Sequence, residues 1–282
     1  MNDGYEKITL VITTCERFEF LRTCLLSFIT WNSYPIEKVI ITEDARSDEA
    51  KYTKEQWDQL AFYLYRISNN VEIIVNETNR GQMSSLDTMW EKVSTPWIFH
   101  LEDDFFFIAP HFIEESLEAH RFLADKLPEG QKLWQLWLYA YSFSNKLPDP
   151  QSFKAHIRKH PDWETNVIKT HTDWINPTDH SSHSCTPREK SYYRVQNTSQ
   201  KGWTIYTGLR KTEDVMLAYP WAEAPVPDNV PENSVWKNSS GSPNHEFPVA
   251  KIYFEQGYVG YWLKDTNWMI NRGADYKMTK LP

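Results

Sequence analysis

Trp97-Ile98-Phe99-His100-Leu101-Glu102-Asp103-Asp104 is an apolar run that ends in three consecutive carboxylates. The run reads as a buried β-strand. Packing gives no reason for the acids, because adjacent like charges repel and each raises the pKa of the next. A divalent cation does give one: Mg²⁺ or Mn²⁺ takes oxygen ligands, commonly one or two carboxylates together with substrate phosphates and water. The competing explanation is a solvated acidic turn. Working outward, this strand is the fourth in a series. Lys7 to Thr14 is a short β-branched apolar run, Phe18 to Trp31 has helical spacing, and Lys38 to Thr42 is a second strand that ends in Glu43-Asp44. A helix is predicted from Thr53 to Ile67, a third strand from Val71 to Val75, and a helix from Gln82 to Val93. Strands separated by helices imply βαβ units and a mostly parallel α/β sheet. Ligands in such sheets sit at the carboxyl ends of the strands, which selects four loops: Cys15 to Arg17, Glu43 to Arg46, Asn79 to Gly81 and Glu102 to Asp104.

Composition narrows the function classes. The 282 residues carry a net charge of −8, which disfavours a nucleic-acid surface built from clustered Lys and Arg. No apolar run approaches the roughly 20 residues of a membrane span. The N-terminus lacks a basic, apolar leader, so the expectation is a cytoplasmic enzyme, at most at the cytoplasmic face of a membrane through peripheral contact. The three cysteines (Cys15, Cys24, Cys185) have no paired spacing and fit a reducing compartment. The 13 Trp, 15 Tyr and 14 Phe are a heavy load, and aromatic faces stack on the C–H faces of sugars, although core packing explains most single rings.

Beyond residue 120 regularity weakens. A helix from Pro110 to Lys126 and a strand from Leu133 to Phe143 precede a polar, histidine-rich stretch at about 147–200, read as an acceptor-side insertion. His171, Asp173, Asp179, His180, His183 and Cys185 within it are zinc-type ligands, but their spacing fits no tight motif and a polar cleft wall explains them more simply. Regular signals return at Trp203 to Tyr206, in helices from Lys211 to Tyr219 and His245 to Gln256, and in a strand from Tyr258 to Leu263. The expectation is one domain over 1–282, with 1–120 binding donor and metal and 121–282 binding acceptor.

Four segments carry a resemblance. His100 to Ser116 resembles the Glu-Asp-Asp metal motif of N-acetylglucosaminyltransferase I and similar GT-A enzymes, including the Ala-Pro-x-Phe that opens the next helix. Val11 to Arg17 is similar to that family's first strand and Cys-Asp-Arg turn, with Glu16 in place of Asp. Thr42-Glu43-Asp44 resembles its second acidic strand end, and Asn79-Arg80-Gly81 resembles the Asn-x-Gly element of family 2 glycosyltransferases. The resemblance covers about residues 8–120. It implies a GT-A fold and a nucleotide diphosphate sugar as donor, with Mn²⁺ or Mg²⁺. Asp104 would ligate the metal, with Glu102 as a second candidate, and Glu102 and Asp103 would hold sugar or ribose. Arg17 would touch the donor, Asp44 would accept from the nucleobase, and Thr13, Thr14 and Cys15 would line its pocket. Asn79, Arg80 and Gly81 complete the donor set.

A looser family 2 pattern places the catalytic base at the start of a helix followed by Gly-aromatic. His245-Glu246 with Gly257-Tyr258 matches it, so Glu246 is the expected base of an inverting reaction, and Asp214 in Glu213-Asp214-Val215 is the rival. Arg272 in Asn271-Arg272-Gly273 is a candidate diphosphate contact. The acceptor would be a glycan or glycolipid hydroxyl. Two other functions fit less well. A nucleotidyltransferase would normally carry a Gly-rich phosphate loop, which Thr13 to Arg17 lacks. A non-catalytic carbohydrate-binding protein with a degenerate transferase fold would not need the acids.

Overall fold

The computed structural model describes residues 4–138, 167–172, 188–194, 207–225, 246–263 and 268–271. In chain order β1 (Ile8–Thr14), α1 (Phe18–Trp31), β2 (Lys38–Glu43), α2 (Lys54–Ile67), β3 (Val71–Val75), α3 (Gln82–Trp90) and β4 (Trp97–Glu102) form the alternating unit read from the sequence. There follow β5 (Phe105–Phe107), α4 (Phe112–Ala124), β6 (Lys132–Trp137), β7 (Val167–Thr172), β8 (Arg188–Arg194), β9 (Gly208–Lys211), α5 (Thr212–Val215), α6 (Glu246–Glu255), β10 (Tyr258–Leu263) and β11 (Met269–Asn271).

The main sheet has the order β3-β2-β1-β4-β9. Its first four strands are parallel, and β9 is antiparallel to β4. β1 is central and buried at every position, which is why Ile8 to Thr14 lacks polar alternation. One face of the sheet packs Leu10, Ile12, Phe99 and Leu101 against α1, α2 and α4. The other packs Val11, Ile40 and Ile98 against Leu86, Met89 and Trp90 of α3 and Val249, Ala250 and Tyr253 of α6. A capping box between Thr53 and Gln56 starts α2, which explains its sharp beginning.

The remaining strands form a mixed sheet, β6-β10-β8-β7, and a two-stranded pair, β11-β5. The mixed sheet shows that the polar stretch after residue 147 is not all irregular: Val-Ile-Lys-Thr-His-Thr and Arg-Glu-Lys-Ser-Tyr-Tyr-Arg supply two of its strands. Their β-branched and aromatic residues favour extended backbone despite the charge. The regular signal at Trp203 to Tyr206 lies outside the described residues; β9 begins at Gly208. The last turn of α6 leads to Gly257, where φ is +82° and an added Cβ would stand 1.9 Å from the Gly130 carbonyl oxygen. Glycine at that position is a steric requirement.

Candidate active site

Register brings the strand ends together. Thr14 of β1 lies beside Glu43 of β2, and Thr13 lies beside Glu102 of β4. Around them is a cleft of about 300 Å³ lined by Thr13, Thr14, Cys15, Arg17, Asp44, Arg46, Asn79, Gly81, Gln82, Ser85 and Glu102. Eight of the residues expected at the donor site therefore share one cleft. Arg80 is exposed, and its guanidinium turns to Thr88 at 3.1 Å.

The three acids have three environments: Glu102 is the last residue of β4, and Asp103 and Asp104 form the turn between β4 and β5. Asp103 is fully buried. Its Oδ2 accepts from the Thr14 hydroxyl at 2.8 Å and from Arg17 Nε at 3.2 Å, and its Oδ1 is 2.5 Å from Arg17 Nη2. Burial pushes its carboxyl up to about 7, against the opposing pull of Arg17. In this geometry Asp103 holds the turn after β1. The Thr14 hydroxyl in turn meets the Tyr52 hydroxyl at 2.5 Å, and that oxygen accepts the Arg17 N–H at 3.2 Å. Arg17 thus serves first as an internal cation, pairing with Asp103 and, at 3.3 Å, with Asp104.

Asp104 is different. Its Oδ2 takes the Arg17 contact, but its Oδ1 is buried and has no hydrogen-bond partner among the described residues. Asp104 lines a separate pocket of about 220 Å³ with Asp103 and with Glu19, Phe20 and Thr23 of α1; an orphaned carboxylate oxygen there suits a hard cation. Among the described residues no group of three His, Cys, Asp or Glu side chains could hold a metal by itself. A cation here would draw its other oxygens from a ligand, as Mg²⁺-type sites commonly do. Glu102 stands at the cleft wall. Its Oε1 accepts from Gln82 Nε2 at 2.9 Å, and its backbone N–H donates to the Thr207 hydroxyl at 3.0 Å. Desolvation, then the neighbouring Asp104 charge, pushes its carboxyl up to about 8.

Asp44 is placed at the cleft but is not offered to a base. Its Oδ1 accepts from Asn76 Nδ2 and the Arg80 N–H, both at 2.8 Å, and its Oδ2 accepts from Asn79 Nδ2 at 3.2 Å and the Gly81 N–H at 2.7 Å. Four donors fill the four acceptor positions of a carboxylate. A nucleobase would have to displace one of them. Asp44 therefore pins the loop 76–81, which delivers Gly81 and Gln82 to the cleft. Gly81 has φ +79°, which opens α3 without strain.

The two candidate bases lie at opposite ends of the sheet. Because β9 is antiparallel, its Gly208 lies beside His100 and its Lys211 beside Trp97, at the start of β4. Thr212 is tied there through its N–H to the Pro96 carbonyl and its hydroxyl to the Thr95 carbonyl. Asp214 follows, accepting the Tyr258 hydroxyl at 2.5 Å. The length of β4 separates this end from Glu102, about 16 Å at the usual rise per strand residue. The Glu-Asp-Val string lies within the short helix α5, which follows the far end of β9. Glu246 begins α6, whose last turn leads to the start of β10 beside Lys132. Its own end is the opposite one, and its charge is felt by Glu102 and by Arg210.

Residues that sequence reasoning missed include Gln82, Tyr52, Thr207 and Arg210. Arg210 on β9 is fully buried with its guanidinium 5.1 Å from the centre of the Trp134 ring. Nothing in the string Gly208-Leu209-Arg210-Lys211 marks the first cation as buried and the second as half-buried; the strand alternation does, once β9 is known to be a strand. β11 ends at Asn271 opposite Phe105, next to Asp104, while Arg272 lies outside the described residues. Of the zinc-type group, Asp173, Asp179, His180, His183 and Cys185 also lie outside them, and only the backbone of His171 is described, on β7.

Residues 9–125 match the family model of Glycosyl transferase family 2. This part of the chain, which runs from β1 to α4, is therefore similar to the glycosyl transferase family 2 domain. No curated protein matches the chain in sequence. Among solved structures, TarS from S. aureus aligns over 96% of this chain and 38% of its own, at 11% identity and a TM-score of 0.48. TarS 1–349 in complex with UDP-GlcNAc aligns over 93% of this chain and 57% of its own, at 12% identity and a TM-score of 0.49. The mannosyltransferase PcManGT from Pyrobaculum calidifontis, in complex with GDP-Man and Mn²⁺, aligns over 55% and 39%, at 14% identity and a TM-score of 0.38. The chain spans 38% of the length of the TarS chain. No helix among the described residues is long and apolar enough to cross a membrane.

Proposed function

We propose that the chain transfers a sugar from a nucleoside diphosphate sugar to a hydroxyl of a glycan or glycolipid, with inversion at the anomeric carbon, and that it uses Mn²⁺ or Mg²⁺ held at Asp104. The observation that carries this reading is the orphaned Oδ1 of Asp104, two residues beyond the Glu102 that lines the polar cleft at the carboxyl ends of the parallel strands. A bound divalent cation would neutralise the diphosphate as it leaves. The chain's own residues do the rest. Thr13, Thr14 and Cys15 form the cleft floor, and the Asp44-pinned loop closes its side. Arg17 and Asp103 fix the turn that carries Cys15. Glu102 accepts a donor hydroxyl. Glu246, at the same end of the sheet, takes the proton of the acceptor hydroxyl as the new bond forms. A non-catalytic sugar-binding role gives Asp104 no task.

The test is release of nucleoside diphosphate from UDP-glucose, UDP-N-acetylglucosamine, UDP-galactose and GDP-mannose, with and without Mn²⁺, by the parent and by Asp104→Asn. Turnover of at least one donor by the parent is expected, with loss on chelation and loss of 10²-fold or more in the variant. Chelator-resistant turnover in Asp104→Asn removes the metal assignment, and turnover of none of the donors removes the donor class.

A further inference from the structure

Glu102 faces the donor cleft with one oxygen committed and one available. Gln82 Nε2 donates to Oε1 at 2.9 Å, and Oε2 accepts from no described residue. The cation proposed at the neighbouring Asp104 would favour the ionised form of Glu102, which only accepts, and Gln82 presents its amide nitrogen to it, with the oxygen away. Gln82 is itself held in place. It is the first residue of α3, directly after Gly81, whose N–H is bound by Asp44 Oδ2 at 2.7 Å. Behind Glu102 the main chain is tied to the buried Thr207 hydroxyl at 3.0 Å. The carboxylate is thus clamped from the loop side and from the backbone side.

We propose that Gln82 is a positioning residue that holds Glu102 so that Oε2 accepts a single hydroxyl of the donor, from either its ribose or its sugar. This rests on the donor reading above. A carboxylate free to rotate about three side-chain bonds pays ordering entropy each time it binds, whereas one clamped by an amide has paid it already. Losing the clamp weakens the hydroxyl contact in ground state and transition state alike, which raises KM and leaves kcat nearly unchanged.

Gln82→Ala and Gln82→Glu separate this role from a structural one. Gln82 sits at a helix N-terminus, where a glutamate favours the helix through its dipole. If the residue serves only the helix, Gln82→Glu is as active as the parent and as stable or more so. If it positions Glu102, Gln82→Glu sets a carboxylate against a carboxylate and is the worse variant for donor. The expected result is a KM about tenfold higher in Gln82→Ala, the usual weight of a hydrogen bond to a charged group, and higher still in Gln82→Glu. In both, kcat stays within about threefold of the parent. The donor is whichever of the four above the parent turns over fastest. Calorimetry with UDP and GDP, each with Mn²⁺, identifies the hydroxyl. Weaker nucleotide binding in Gln82→Ala assigns the ribose; unchanged nucleotide binding with a raised KM assigns the sugar. Parent-like KM in Gln82→Glu overturns the proposal while leaving the donor reading intact, since that reading stands or falls on Asp104→Asn and the parent.

Discussion

His120 makes the packing of α4 against β4 and β9 measurable through pH. The imidazole is buried, edge-on to the Trp97 ring at 4.9 Å, with Nε2 3.4 Å from the Leu209 carbonyl oxygen. Burial, aided by repulsion from Lys211 and Arg210, lowers its pKa from 6.5 to about 3. The folded value is below the unfolded one, so between those limits the unfolded chain binds the extra proton. Stability from this group is complete above pH about 6.5 and is lost as pH falls toward 3. At pH 5 the unfolded imidazole is almost fully protonated and the folded one is neutral, a difference of about 2 kcal/mol relative to neutral pH. For a chain of this size that is roughly 4–8 °C in Tm. Asp103 and Glu102, whose folded values are raised to about 7 and about 8, act in the opposite sense and gain stability as pH falls. The net acid slope of the parent is therefore uninformative, and the difference from His120→Leu is the quantity to read. Leucine is of similar size and carries no proton at any pH. Its packing cost is a constant offset, and urea unfolding at pH 5, 6 and 7 should show the parent losing about 2 kcal/mol more than the variant from pH 7 to 5. Parallel stability curves would refute the burial of His120, and with it the docking of α4 beside β9.

The base assignment predicts that Glu246→Gln loses about 10²–10⁴-fold in transfer with donor affinity retained, while Asp214→Asn keeps transfer within about threefold and loses stability at the Tyr258 contact. The reverse pattern, measured side by side, would move the base, and a proton NMR spectrum showing retained anomeric configuration would discard the single-base mechanism. Asp44→Ala strands four donors, so it should unfold at least about 2 kcal/mol more easily and bind UDP or GDP with Mn²⁺ more weakly. Hydrogen exchange locates the cause: the Arg80 and Gly81 amides should lose protection, and unchanged protection there would contradict the pinning role.

The donor half was readable because its signals are local. Phe18 to Trp31 and Val71 to Val75 appear in the structure with the same limits as in the sequence, and β1, β2 and β4 differ by one residue at an end. Apolar runs of strand length between helical periods leave little choice of topology. What could not be read was which way each polar side chain turns. Arg17 and Asp44 are both at the expected loop, yet one is consumed by Asp103 and the other by loop amides, because buried charge must be paired within the fold before it can serve a ligand. The second half was obscure for a different reason. The Glu-Asp-Val string resembles the familiar base element, and only the antiparallel sense of β9 shows that it lies at the other end of the sheet from Glu102.

The end of β4 gives the acidic triplet its logic. Only the first of the three acids lies on the strand, and Asp103 and Asp104 fall in the turn that follows it. Asp103 turns to the α1 face and is neutralised by Arg17. Glu102 turns to the face shared with α3 and β9, where Gln82 holds it. Asp104 keeps its buried Oδ1 without a hydrogen-bond donor, whereas the equally donor-less Oδ1 of Asp103 lies 2.5 Å from Arg17 Nη2. Substituting the inward acid should therefore cost the fold, the outward acid donor affinity, and the last acid turnover. A motif that looks like one metal site in the sequence divides into a structural ion pair at Asp103, and on the proposed reading a hydroxyl acceptor at Glu102 and a cation ligand at Asp104.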